Sequence, residues 1–74
     1  MKDEFIKIDT EYIRLQDALK LSGMAYTGGM AKLVIQNGEV SVNGEICLMR
    51  GKKLYPGTIV EIEAADGVFA FEVC

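Results

Sequence analysis

The sequence predicts an α+β domain in which one strand and two short helices precede four short strands. Three observations predict it. Apolar residues recur at i, i+3, i+4 between Leu15 and Ile35, the period drops to two after Gly38, and Gly-containing turn signals punctuate the remainder.

The opening stretch Glu4–Asp9 has apolar Phe5, Ile6 and Ile8 with polar Lys7 and Asp9, which suits a short strand. Leu15, Ala18 and Leu19 then share one face of a first helix that Gly23 stops. Met24, Ala25 and Tyr26 form a tight connection, and Thr27 is placed to cap a second helix. That helix turns Ala31, Val34 and Ile35 inward and closes at Asn37-Gly38, where glycine takes the left-handed backbone. Val40 and Val42 alternate with Ser41 and Asn43, and Asn43-Gly44 suits a two-residue hairpin turn. Ile46 and Leu48 fall on the return strand, Arg50 to Lys53 form a basic loop, and Tyr55-Pro56-Gly57 is a turn. Thr58 to Glu63 reads as a strand with Ile59, Val60 and Ile62 as its apolar set. Asp66-Gly67 turns the chain into a last strand, Val68 to Val73. Neither a repeat nor a linker interrupts this order, so residues 1–74 are expected to form a single domain.

A chain of 74 residues buries only roughly 60 % of its unfolded surface, which leaves little room for a cleft with several convergent catalytic groups. Half of the residues are hydrophobic and 26% charged, a globular composition. No apolar run approaches the ~20 residues that cross a bilayer, and Met1–Phe5 lack the basic-then-apolar pattern of a signal peptide. A cytoplasmic domain without a membrane partner is expected. With no histidine, and with Cys47 and Cys74 far from CxxC spacing, there is no Cys/His ligand set for zinc. Both cysteines read as small apolar strand residues, with Cys74 open to being an exposed terminal thiol. No cofactor, metal or small-molecule substrate is expected.

The net charge of −3 argues at first against a polyanionic partner, but the charges are unevenly distributed. In residues 1–11, Lys2 and Lys7 against Asp3, Glu4, Asp9 and Glu11 leave −2; in residues 61–74, Glu61, Glu63, Asp66 and Glu72 give −4. In residues 12–60, Arg14, Lys20, Lys32, Arg50, Lys52 and Lys53 against Asp17, Glu39 and Glu45 give +3. Screening confines each charge to a Debye length of ~8–10 Å, so the local field decides what is attracted. The middle of the chain is basic.

At this point the residues resemble a known family. Arg14-Leu15, Leu19, Gly23, Thr27, Ala31-Lys32, Val34-Ile35, Gly38-Glu39-Val40-Ser41-Val42-Asn43-Gly44 and Leu54-Tyr55-Pro56-Gly57 stand in the order and spacing of the S-four RNA-binding domain, or alpha-L motif. The resemblance runs from Ile13 to Ile62. It implies two short helices packed on a small, mostly antiparallel sheet, here with an added N-terminal strand. Two positions depart from the wider family: Gly28 stands where an arginine often follows the cap, and Thr58 where an aspartate often follows the last glycine. The stretches Thr27–Lys32 and Arg50–Gly57 are similar to the short stand-alone YaaA/YbcJ-type members, which implies a free RNA-binding module linked to ribosome assembly.

Phosphate contacts need Lys or Arg gathered on one surface. Arg50, Lys52 and Lys53 make the densest cluster, and Arg50 suits a forked phosphate contact or a stack on a base. Lys32 and Gln36 project together at i, i+4 from the second helix, and the resemblance implies that Lys32 touches RNA. Thr27-Gly28-Gly29 opens that helix, where backbone N–H groups favour an anion and glycine permits close approach; equally, the glycines serve a tight turn. Lys20 and Arg14 flank the first helix as secondary candidates. Asn43 fits the turn better than a base edge, and Tyr55 fits loop packing better than stacking.

The expected function is therefore non-catalytic recognition of structured RNA, ribosomal RNA or an assembling particle above all, by a monomer. A small protein-interaction module of ubiquitin-like type is the alternative; its carrier version ends in Gly-Gly, whereas this sequence reads Phe71-Glu72-Val73-Cys74. An enzyme ranks last. No nucleophile is paired with a base, no GxxxxGK loop is present, and Glu61 and Glu63 share one strand face without a partner base.

Overall fold

The computed structural model describes residues 3–25, 27–64 and 67–74. Tyr26 of the expected inter-helix connection and Asp66 of the expected last turn lie outside them. The elements run β1 (Asp3–Ile6), β2 (Ile13–Arg14), α1 (Leu15–Leu21), α2 (Gly28–Gln36), β3 (Val40–Val42), β4 (Glu45–Ile46), β5 (Lys53–Leu54), β6 (Ile59–Ala64) and β7 (Gly67–Val73). The fold is α+β, as the periodicities predict: two helices pack on a mostly antiparallel sheet that carries an added N-terminal strand.

The main sheet has the order β1-β7-β6-β3-β4; β1 lies parallel to β7 and every other pairing in it is antiparallel. Alternation along β3, β6 and β7 turns Val40, Val42, Val60, Ile62, Phe71 and Val73 to one face. There they meet Leu15, Ala18 and Leu19 of α1 and Ala31 and Ile35 of α2 in one apolar cluster. Because Val60 and Ile62 face the helices, Glu61 and Glu63 face away. Glu61 lies opposite Ser41 and Ala70, and Glu63 opposite Val68. No helix among the described residues is long and apolar enough to cross a membrane.

The local signals act as their chemistry requires. Thr27 caps α2, its Oγ1 accepting from the Met30 N–H at 3.1 Å. Gly23 (φ +84°) follows the end of α1 and Gly38 (φ +76°) the end of α2, as left-handed closures. Asn43 (φ +51°) and Gly44 turn β3 into β4. The Asn43 Oδ1 accepts from the Ile59 N–H at 2.9 Å and its own N–H donates to the Ile59 carbonyl at 2.8 Å. Its side chain is thus spent on joining the hairpin to β6, as the turn reading expects.

Three expectations need correction. The return strand expected through Ile46 and Leu48 ends at Ile46, and both side chains are exposed. Beyond Ile46 the chain runs to the start of α1, where the Arg50 and Lys52 carbonyls accept from the Gln16 and Leu15 N–H groups. Lys53, expected in a loop, lies in β5, which pairs with β2 as a second, two-stranded sheet that the sequence reading lacks. Cys47 lies just past β4, half-buried against the core, and Cys74 is exposed just past β7; both thiols are free.

Candidate nucleic-acid interface

The first helix explains where the basic loop sits. Its cap residue Arg14 is extended and offers no side-chain acceptor to the first turn. The loop supplies main-chain acceptors instead: the Leu15 N–H donates to the Lys52 carbonyl at 2.8 Å and the Gln16 N–H to the Arg50 carbonyl at 3.0 Å. The loop's anchoring hydrogen bonds thus run to α1, whose first-turn N–H groups at Leu15 and Gln16 they satisfy. With the carbonyls turned inward, the side chains of Arg50, Lys52 and Lys53 are exposed.

The β2–β5 ribbon adds a second fixed cation. Ile13 pairs with Leu54, and both pack on the core, Leu54 completely buried. Alternation then sends the neighbouring pair, Arg14 and Lys53, out to solvent directly opposite each other. Like charges so placed are destabilising, by roughly a few tenths of a kcal/mol to 1. A shared anion would reverse the sign of that interaction. Just beyond the end of that ladder the Tyr12 and Tyr55 rings meet, with centroids 5.9 Å apart and planes inclined by 50°. The Lys53 Nζ lies 4.9 Å from the centroid of the Tyr12 ring.

On the helical layer, α1 packs against α2. Ala31 and Ile35 are buried, and Lys32 and Gln36 project to solvent as their spacing requires. Thr27, Gly28 and Gly29 are exposed, and among the described residues the N–H groups of Gly28 and Gly29 have no hydrogen-bond partner. Neither glycine has a positive φ, and a Cβ at Gly28 would meet nothing within 4 Å. The turn does not demand glycine at either position. Lys20 stands apart from this group: its Nζ is 3.4 Å from Asp17 Oδ1, so its charge is partly answered within the helix.

The strands of the main sheet contain no lysine or arginine, yet they carry Asp3, Glu4, Glu45, Glu61, Glu63 and Glu72. Arg14, Lys20, Lys32, Arg50, Lys52 and Lys53 all belong to the helices, the ribbon and its loop. The sequence reading misses Tyr12, the pairing of Arg14 with Lys53, and the exposure of Leu48 and Met49 beside Lys52. One signal for the first two is available. Tyr12-Ile13-Arg14 and Lys53-Leu54-Tyr55 are mirror-image triplets, as an antiparallel pair with one buried face requires.

Comparison with known proteins agrees with this architecture. Residues 6–69 match the S4 domain family, a span wider at both ends than that of the quoted motifs. A Bacillus subtilis (strain 168) protein named "Probable ribosome maturation protein RlbA" is 48% identical over 68 residues, 92% of this chain and 92% of that protein. With the family match spanning most of the sequence and that identity spanning nearly all of it, the chain belongs to the S4-domain family.

Proposed function

We propose that this protein is a non-catalytic RNA-binding domain that acts in ribosome maturation in the cytoplasm, recognising structured ribosomal RNA through its helix-and-loop face. The observation that carries the reading is the segregation of charge: a main sheet whose strands lack cations backs a layer of helices, ribbon and loop that holds six. A phosphate backbone is drawn to that layer whatever the net charge. The name of the Bacillus relative supports the ribosomal setting.

In this reading residues 1–74 act as one domain with its RNA-binding core in 13–62, as a monomer of the YaaA/YbcJ type. Arg50, Lys52, Lys53 and Arg14 neutralise phosphates at the loop and ribbon. Lys32 and Gln36 extend the contact along α2, Thr27, Gly28 and Gly29 offer main-chain donors at its start, and Lys20 contributes at the margin. A-form helices hide their base edges in a deep groove, so a junction, bulge or loop is the favoured element. Crosslinking the protein to RNA in cells and sequencing the bound fragments tests the reading. Enrichment of discrete ribosomal RNA positions is the expected result; recovery in proportion to RNA abundance refutes it.

A further inference from the structure

The ribbon brings two aromatic rings and two cations to one exposed face, and general phosphate binding needs only the cations. We infer that this face is a stacking platform for one unpaired nucleotide, with Tyr55 presenting the ring on which the base lies. The inference rests on the RNA-binding reading and specifies which kind of RNA element the domain selects.

Five observations support it. Tyr55 directly follows the fully buried Leu54, so its backbone is fixed by the core while the residue keeps 47% of its surface exposed. The Tyr12 ring stands tilted against Tyr55, a contact that orients Tyr55 without covering both of its faces. Tyr12 itself is half-buried, with the Lys53 ammonium over its ring, so it serves as the buttress and not the receptor. Lys53 and Arg14 flank the pair, so a base on Tyr55 has a cation on hand for its phosphate. Glu11 and Asp17 border the hollow beside Tyr12 and Arg14, which steers the backbone toward the Lys52–Lys53 side.

The chemistry discriminates between paired and unpaired nucleotides. In a continuous A-form duplex each base is already stacked on its neighbours and offers no free face, whereas a bulged nucleotide does. Stacking of a base on an aromatic side chain changes affinity by roughly 5- to 150-fold on removal of the ring, and it does so with little regard to sequence.

The test compares two RNAs, a 20-base-pair duplex and the same duplex with a three-adenosine bulge, at low salt. Wild-type protein is expected to prefer the bulged RNA. Tyr55→Ala and Tyr55→Leu, the latter keeping the apolar packing, are expected to lose about 5-fold or more of affinity for the bulged RNA only, while Tyr55→Phe retains it. The chain has no tryptophan and three tyrosines, so the share of tyrosine quenching by the bulged RNA that is lost in Tyr55→Leu reports stacking on Tyr55. Equal losses on both RNAs, or none in Tyr55→Leu, overturn the platform while leaving RNA binding intact. Wild-type protein that binds neither RNA overturns the underlying reading and this one with it.

Discussion

Gly28 and Gly29 occupy the first turn of α2 without any steric or dihedral need for glycine. Glycine inside a helix is less stable than alanine by roughly 0.5–1 kcal/mol, because the unfolded chain loses more freedom. Gly28→Ala is therefore expected to raise the thermal midpoint by a few degrees, as differential scanning calorimetry would read. If a phosphate closes on the Gly28 main chain, the same variant binds RNA less well, and stability and affinity move in opposite directions. A rise in both would remove Gly28 from the interface. Asn43 presents the reverse case, a residue that the fold needs. At φ +51°, with its side chain accepting from Ile59, it combines a left-handed backbone with a long-range hydrogen bond. Asn43→Ala loses both advantages and is expected to destabilise by about 1–3 kcal/mol, a fall of many degrees for a domain of this size. Asn43→Gly keeps the turn and should cost visibly less. Comparison of the two melting curves separates the dihedral from the hydrogen bond.

At the scale of elements, what is legible in the sequence is whatever repeats or is punctuated locally. Both helices announce themselves by the spacing of Leu15-Ala18-Leu19 and Ala31-Val34-Ile35, and the β3–β4 hairpin by Asn43-Gly44. The β2–β5 ribbon is not legible in the same way. A two-residue strand is too short to show a period, and its partner lies across both helices and a hairpin. The candidate site is half legible for the same reason: each cation is visible, but the pairing of Arg14 with Lys53 exists only through that ribbon. This pairing makes a prediction at its own scale. Lys52→Glu with Lys53→Glu leaves the capping carbonyls of the loop in place, since these belong to the main chain. The change at Lys53 turns the repulsion across the ladder from Arg14 into attraction and removes the cation from the Tyr12 ring. These effects oppose each other, so stability is expected to change by less than about 1 kcal/mol. RNA affinity should fall at least about tenfold as phosphate contacts become repulsive. An interaction module of ubiquitin-like type would retain its partner through this change. Circular dichroism to verify the fold, beside filter binding to ribosomal RNA, decides between them.

At the scale of the whole molecule, the proposed function requires a protein of net charge −3 to attract a polyanion. The domain measures 31 × 25 × 22 Å, while charges in physiological salt are felt over ~8 Å. Glu61 and Glu63 on the outer face of the sheet point away from the helices and the basic loop, so across a body of this size their fields are largely screened from that layer. Two measurements follow from that separation. If the basic face neutralises about four to five phosphates, the logarithm of affinity falls against the logarithm of salt with a slope of about −3 to −4. A flat salt dependence would mean that cations are not what holds the RNA. The second measurement moves net charge without touching the interface. Glu61→Lys with Glu63→Lys, on the outer face of β6, changes the net charge by four units, as many as Lys52→Glu with Lys53→Glu does in the other direction. Were net charge in control, the two double variants would shift affinity by equal and opposite amounts. If the local field of the proposed interface controls it, the sheet-face variant is expected to shift affinity for ribosomal RNA by no more than about twofold at physiological salt, against the tenfold or greater loss at the loop. Its effect should grow as salt is lowered and the Debye length approaches the thickness of the domain, ~30 Å at 0.01 M. A sheet-face gain as large as the loop's loss at physiological salt would place the RNA across both faces and refute the segregated interface.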